Sequence, residues 1–319
     1  MKLYPIEFIP IFKERIWGGT KLHDLLNKEV NKEGIGESWE LSNVLNDVSI
    51  VKNGFLKGKD LNEIIHLYPE AILGEKVIAK YGKNFPLLFK FIDAKEDLSI
   101  QVHPNDLLAK ERHNSFGKTE MWYVMQADPG SRLVVGFKED SSKETYVSCL
   151  KNKTLLSILE EYSVEKGDVF FLETGIVHAI GAGVLIAEIQ QTSDITYRLY
   201  DWDRVDVNGK GRELHTELAL DAINFKKTSS KVAYSSALNE SRAIVSCPYF
   251  TTRVLKLEGV YHWENNKEAF TVFMCVEGQI QLIHEEIEYI YNKGQTVFIP
   301  AEIERLQLKG TGTLLEISI

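Results

Sequence analysis

Gln101, His103, Glu120 and His178 are the side chains in this 319-residue chain best suited to chemistry, because two imidazoles, a carboxylate and an amide offer N and O donors to a divalent metal. Gln101 and His103 alternate with Val102 in the run Leu98-Ser99-Ile100-Gln101-Val102-His103-Pro104, and side chains two apart on a strand share a face. Glu120 opens a second β-like run, 120–125, and His178 closes a third, 167–178. Three strands aiming donors at one point predict a metalloenzyme. Two histidines with one carboxylate make a catalytic zinc set with a position left for water or substrate, and the same trio serves non-haem Fe(II) oxygenases. Donor type alone leaves zinc and iron both open. The neutral amide oxygen of Gln101 keeps the net charge of the site higher than a second carboxylate would, which favours Lewis acidity towards substrate oxygens.

The elements that must position these donors read as β. Short apolar or alternating runs at 133–137, 169–172, 184–189, 271–276, 280–283, 296–299 and 313–317 are separated by Gly, Asn, Asp and Pro, the spacing of an antiparallel sandwich or barrel. Glu277-Gly278 and Gly310-Thr311-Gly312 read as turns between such strands. Helical signals interrupt the pattern. Asp60 with Glu63 three residues on has the form of a capping box. The apolar spacing at 155–159 and 217–223 is helical, and 106–112 reads as a short helix after the Pro104 turn. The polar stretch 226–231 is the best linker, and the chain after about residue 241 is nearly pure β, so the expected units are 1–240 and 241–319.

Bulk composition narrows the partners. With 37 basic and 46 acidic side chains the formal charge is −9, which argues against nucleic acid or an anionic membrane, since both attract basic surfaces. An anionic small molecule would need a local basic pocket. Cys149, Cys247 and Cys275 are odd in number and lack CxxC pairing, which fits a reducing compartment. The N-terminus lacks the form of a signal peptide, and no run approaches 18 apolar residues, so the expected address is the cytoplasm.

A weak internal repeat accompanies the division at 240. Gly167, Glu173, Gly175 and His178 follow the spacing Gly-x5-Pro-x-Gly-x2-His with Glu in the Pro slot, and Gly294, Pro300, Glu302 and Arg305 run through it again. Both halves thus resemble cupins. The fold is expected to be mainly β, two cupin jelly-roll barrels with helical additions on the N-terminal one. Arg305 stands where a ligand histidine would, and a permanently charged guanidinium cannot ligate a metal, so the second barrel is expected to be metal-free.

Along nearly its whole length the chain resembles the short, bacterial-type class I mannose-6-phosphate isomerases. The resemblance rests on Phe12-Lys13-Glu14-Arg15-Ile16-Trp17-Gly18-Gly19, Gly36-Glu37-Ser38-Trp39-Glu40-Leu41-Ser42 and Phe85-Pro86-Leu87-Leu88-Phe89-Lys90. It continues through Ser99-Ile100-Gln101-Val102-His103-Pro104, Gly117-Lys118-Thr119-Glu120-Met121 and Ser193-Asp194-Ile195-Thr196-Tyr197-Arg198. The resemblance implies a zinc-dependent interconversion of mannose 6-phosphate and fructose 6-phosphate through an enediol(ate), with one zinc per chain on Gln101, His103, Glu120 and His178, and Arg198 as the active-site arginine.

An aldose–ketose isomerase must move a proton between C1 and C2. Arg198 is no ready base at neutral pH and is assigned to holding anionic oxygen. Glu188 and Lys118 are the better proton carriers, and the sequence leaves both open. The phosphate dianion needs fixed cations; Lys90, Lys118 and Arg198 are the candidates, with Arg204 weaker. Lys90 stands out because it interrupts the apolar run 85–92, where an unpaired charge would be costly. Trp39 and Trp122 read as core, Trp17 as core or cleft. The stretch 201–204 reads as a solvated loop. The short form lacks the large helical domain of the longer enzymes, so any roof over the substrate must come from elsewhere, and the C-terminal barrel is the candidate. Two rivals remain: another metal cupin enzyme, either an iron oxygenase or a different sugar-phosphate isomerase, and a non-catalytic cupin that senses sugar phosphates.

Overall fold

The computed structural model describes residues 2–30, 32–205 and 209–319, and three antiparallel sheets dominate it. The largest has seven strands, in the order Ile11–Gly19, Ile35–Leu41, Leu87–Ala94, Val184–Gln191, Glu120–Ala127, Val169–Leu172 and Lys231–Val232. Against it lies a five-stranded sheet in the order Tyr197–Tyr200, Ile100–Val102, His178–Ile180, Arg132–Phe137 and Leu159–Ser163. The sheets are open rather than closed by hydrogen bonds, and the architecture is the mainly β, cupin-type jelly roll that was expected.

Burial explains the layering. Every residue of Leu87–Ala94 and Val184–Gln191 is buried, so the centre of the large sheet is covered on both faces. On one face Phe85, Phe89, Leu185 and Ile189 pack with Ile64, Leu73 and Val77 from three short helices. On the other, Ile92, Trp122, Val124 and Ile186 meet Leu133, Val135 and Ile180 of the five-stranded sheet. The period of two is visible in that smaller sheet. Val134, between Leu133 and Val135, turns to the opposite side and packs with Tyr146 of the helix Lys143–Lys151. The capping box is formed: Asp60 accepts from the Glu63 N–H at 2.8 Å, and Glu63 accepts from the Asp60 N–H at 2.8 Å.

Residues 241–318 form the third sheet, built on three 14-residue strands, Thr251–Glu264, Thr271–His284 and Arg305–Ser318. Its first strand, Ser241–Ser246, begins one residue past the division expected from sequence. One side of this sheet shares an apolar cluster with the N-terminal portion. Phe85 lies 4.9 Å from Phe270 and 6.0 Å from Phe298, ring centre to ring centre.

Several local expectations differ from the structure. The apolar spacing at 155–159 gives only a 3-10 turn, Leu155–Ile158, because Leu159 is already paired with Phe137 in the sheet. The helix expected at 217–223 is the short Thr216–Ala219. Glu277-Gly278 and Gly310-Thr311-Gly312 are not turns. They lie opposite one another inside two long strands, where Gly278 pairs with Gly312 and Gly278 takes φ +74° beside a bulge. The polar linker ends in Lys231–Val232, which adds a strand to the large sheet. Arg305 starts the last strand with its side chain exposed and paired with Glu264 at 3.4 Å, so it does not occupy a barrel interior. The helices Pro69–Leu73, Glu75–Tyr81 and Lys143–Lys151 carry no strong sequence signal.

Candidate metal centre

Strand register builds the site as rows of facing side chains. In the five-stranded sheet Gln101 is paired with His178 on one side and Arg198 on the other, giving a row of three across three strands. In the large sheet Trp39, Lys90, Glu188, Trp122 and Phe170 form one row across five strands. Gln190, Glu120 and Leu172 form the next, two residues along and therefore on the same face. The site lies where these rows meet between the sheets.

His103, Glu120 and His178 are all buried, and one ligand atom from each lies within 4.8 Å of the others. Each imidazole is oriented from behind. His103 Nδ1 lies 2.9 Å from the Ile195 carbonyl and His178 Nδ1 lies 2.9 Å from the Ile176 carbonyl. A carbonyl only accepts, so Nδ1 carries the proton in both rings and each Nε2 presents a lone pair. Burial and the nearby Lys118 charge push His178 down to about 3; burial, Lys118 and His178 push His103 well below the usual histidine range. Both rings are therefore neutral, as metal ligation requires.

The donor set fits a divalent cation. His178 Nε2 faces Glu120 Oε1 at 3.4 Å, and Glu120 Oε1 is buried without a hydrogen-bond partner. Two acceptors facing each other in a dry site are unfavourable unless a cation joins them. Lys118 Nζ supplies part of that charge, 2.9 Å from His103 Nε2 and hydrogen-bonded to Glu120 Oε2. The Gln101 amide lies 3.2 Å from His178 Nε2, close enough for its oxygen to join the set after an amide flip. Burial and the neighbouring Glu188, opposed by Lys118, raise Glu120 to about 7, which marks a carboxylate short of positive charge.

Glu188 and Lys90 form a second buried pair beside this centre. Lys90 Nζ donates to Glu188 Oε1 at 2.9 Å and to Gln190 Oε1 at 2.7 Å, which leaves one of its three protons for a ligand. Trp122 Nε1 donates to Glu188 Oε2 at 2.9 Å. Burial alone would raise Glu188, yet Lys90, Lys118 and these hydrogen bonds prevail and hold it down to about 2. Both of its oxygens are engaged by donors.

The centre opens into a cleft of about 390 Å³, within the roughly 300–1,000 Å³ of small-molecule sites. Its outer wall comes from the hairpin Ile11–Gly19 and Ile35–Leu41, through Arg15, Trp17, Glu37 and Trp39. Arg15 is bidentate to Glu37 at 3.0 and 3.2 Å, and Trp39 Nε1 donates to Glu37 at 2.6 Å. Among the described residues no side chain beyond Arg212 lines this cleft, so the roof expected from the C-terminal barrel belongs to the first hairpin instead. Trp39 and Trp17 are buried and line the cleft, while Trp122 is core.

The far end of the cleft is basic. Arg198 Nη1 donates to the Glu213 carbonyl at 2.9 Å, its backbone N–H donates to His215 Nδ1, and its Nε is buried without a partner. Burial, then the Arg212 guanidinium, lowers the proton affinity of Arg198 from the ordinary arginine range. Arg212 and Arg204 are both held by Asp201, which is buried, so 201–204 is a clamp and not a solvated loop. Arg15, Glu37, Asp194 and Arg212 were missed from sequence. Arg15 lies in a run whose sequence gives it no role of its own, and that role becomes visible only when Lys13 pairs with Glu37 across the two strands. Arg212 bears no recognisable spacing to Arg198.

Comparison with known proteins agrees with this arrangement. Residues 6–127 match the phosphomannose isomerase type I catalytic domain, and residues 240–319 match the cupin domain of mannose-6-phosphate isomerase. The chain is 34% identical to mannose-6-phosphate isomerase ManA of Bacillus subtilis over 97% of each chain. It is also 34% identical to mannose-6-phosphate isomerase of Streptococcus mutans, over 93% of this chain and 92% of that one. The crystal structure of the mannose 6-phosphate isomerase from Bacillus subtilis superposes with a TM-score of 0.90, covering 99% of this chain and 100% of that chain at 34% identity. A likeness that runs end to end in sequence and fold, over a cleft built as described, means that the chain belongs to the type I mannose-6-phosphate isomerase family.

Proposed function

We propose that this protein interconverts mannose 6-phosphate and fructose 6-phosphate through an enediol(ate), using one zinc ion per chain held by Gln101, His103, Glu120 and His178. Residues 1–240 are read as the catalytic unit, 241–319 as a metal-free cupin, and the cytoplasm as the site of action. The observation that carries the reading is the facing pair of His178 Nε2 and Glu120 Oε1, two lone-pair donors at 3.4 Å, beside a cleft that Gln101 and Lys118 line together with three guanidinium groups. Two neutral imidazoles with a carboxylate and an amide oxygen match a catalytic zinc set. When bound, the ion supplies Lewis acidity towards the C1 and C2 oxygens of the open-chain sugar.

The protein's own groups do the rest. Lys118 lines the cleft, with its Nζ 2.9 Å from His103 Nε2 and hydrogen-bonded to Glu120 Oε2. It is read as the carrier that takes the proton from C2 of the aldose and delivers it to C1, while the hydroxyl proton on O2 passes to O1, giving the ketose. Glu188, with both oxygens occupied, is a poor base. It acts as the fixed negative charge that keeps Lys90 in place for the sugar hydroxyls. Arg198, with its free Nε, and Arg212 beside it receive the phosphate dianion, and Trp17 and Trp39 close the wall on the sugar. The test is a coupled isomerase assay on mannose 6-phosphate before and after chelation with zinc add-back, alongside metal analysis and an oxygen electrode. Turnover that stops on chelation and returns with zinc supports the reading. Dioxygen consumption, or sugar-phosphate binding without turnover, sinks it.

A further inference from the structure

The C-terminal portion lines none of the cleft, yet one of its side chains reaches the carboxylate that holds the segment carrying Lys118 and Glu120. Tyr249, in the turn between Ser241–Ser246 and Thr251–Glu264, donates its hydroxyl to Asp106 Oδ2 at 2.6 Å. The other oxygen of Asp106 accepts from the Gly117 N–H at 2.8 Å and from Gln191 Nε2 at 3.0 Å. Gln191 in turn accepts from the Thr119 N–H at 2.9 Å and donates its own N–H to the Thr119 carbonyl at 3.1 Å.

One carboxylate therefore joins four chain segments. It is the first residue of the helix Asp106–His113, three residues after His103. It holds the backbone of Gly117 directly and that of Thr119 through Gln191, on either side of Lys118. It also accepts a hydrogen bond from Tyr249 of the C-terminal portion. The approach is close: a Cβ on Gly117 would come within 2.7 Å of the Asp106 nitrogen and 2.9 Å of the Asn105 carbonyl carbon. Residues 117–120 are all buried, so their position is set by these bonds and not by solvent.

We propose that Tyr249 is a positioning residue, which acts through Asp106 to hold the 117–120 segment so that Lys118 and Glu120 face the site. The inference rests on the isomerase reading for its kinetic consequence, but not for its structural one. It gives the metal-free C-terminal portion a share in catalysis without contact with substrate.

Two measurements on the full chain test it. The first is steady-state isomerisation by zinc-loaded Tyr249→Phe, Asp106→Asn, Asp106→Ala and the double variant Tyr249→Phe/Asp106→Ala. The second is amide hydrogen exchange of residues 117–120 in metal-free wild type and Tyr249→Phe. Tyr249→Phe is expected to lower kcat about tenfold, a part of the roughly hundredfold that a 1 Å misplacement can cost, with KM and the thermal midpoint nearly unchanged. Asp106→Asn keeps an oxygen for Gly117 and Gln191 and offers an N–H to the Tyr249 oxygen, so it is expected to retain most of kcat. Asp106→Ala is expected to lose the most, and adding Tyr249→Phe to it to lose no more, since the hydroxyl acts through the carboxylate. Exchange at Gly117 and Thr119 is expected to quicken in Tyr249→Phe. Unchanged kcat, unchanged exchange, additive losses in the double variant, or losses that track the thermal midpoint would overturn the proposal. A wild-type protein that turns over no mannose 6-phosphate would sink the isomerase reading instead, and the exchange measurement would still decide the role of Tyr249.

Discussion

Glu188 carries its charge in a place nearly closed to water because Lys90 and Trp122 occupy both of its oxygens. Its folded pKa of about 2 lies below the ordinary carboxylate value, so its contribution to stability is present above that ordinary value and is lost as pH falls towards 2. His178 acts in the same direction down to about 3, since the unfolded chain takes up a proton that the buried ring refuses. Glu120, raised to about 7, opposes them between about 4.5 and 7 because the folded state then binds the extra proton. His103, also held well below the ordinary histidine value of 6.5, adds to the loss. The metal-free protein is thus expected to begin losing stability below about pH 6.5 and to lose it more steeply below about pH 4.5. Glu188→Gln is expected to flatten that lower part, as read by denaturant unfolding over a pH series. At neutral pH the same variant leaves Lys90 buried beside neutral acceptors and is expected to cost about 3 kcal/mol, the lower end of what breaking a buried pair costs. His103→Ala and His178→Ala are expected to lose bound metal and activity while keeping the β circular dichroism; retention of either would remove that residue from the site. Arg198→Ala is expected to keep its metal and lower kcat/KM roughly tenfold to hundredfold, the effect of a charged hydrogen bond of about 1.5–3 kcal/mol. At this scale the sequence was most legible where chemistry demands rare residue types. Gln101 and His103 alternate on a visible strand and bracket their neighbours. Glu37 and Arg212 could not be found, because each acts through a partner from another strand or loop.

The hairpin of Ile11–Gly19 and Ile35–Leu41 shows what an element adds that no single residue announces. A Cβ on Gly18 would meet the Gly34 oxygen and the Gly36 nitrogen at 2.5 Å, and one on Gly36 would meet the Trp17 ring at 2.4 Å. The two strands approach so closely that only glycine fits, and the approach seats Trp17 against the cleft. Gly36→Ala is therefore expected to displace Trp17, to lower stability by about 1–3 kcal/mol and to raise KM for mannose 6-phosphate more than it lowers kcat. Thermal unfolding together with initial rates would check it. Strands were easier to foresee than helices here. A strand buried on both faces leaves a short, nearly continuous apolar run, as at 133–137 and 184–189. The helices Pro69–Leu73 and Glu75–Tyr81 are too short for a periodic signal to accumulate. The glycines at 278 and 310–312 misled because a bulge uses the same residue as a turn.

Over the whole molecule, the cluster that joins Phe85 to Phe270 and Phe298 makes the two portions of the chain depend on each other. A chain cut after residue 240 would expose that surface, and Phe85→Ala is expected to cost about 3–5 kcal/mol. Calorimetry of the intact protein is expected to show one transition, displaced upward by zinc through mass action; two separate transitions would contradict the shared core. The expected division at 240 rests on a change in composition, and composition holds no trace of how two sheets press together. The cleft's outer wall, finally, belongs to the edge of the large sheet, whereas the proposed metal donors come from its inner strand Glu120–Ala127 and from the five-stranded sheet opposite. On the proposed reading, ion affinity and sugar preference are encoded on different parts of the polypeptide. Randomisation at 15, 17, 37 and 39 is expected to retune which hexose is accepted while bound metal stays unchanged.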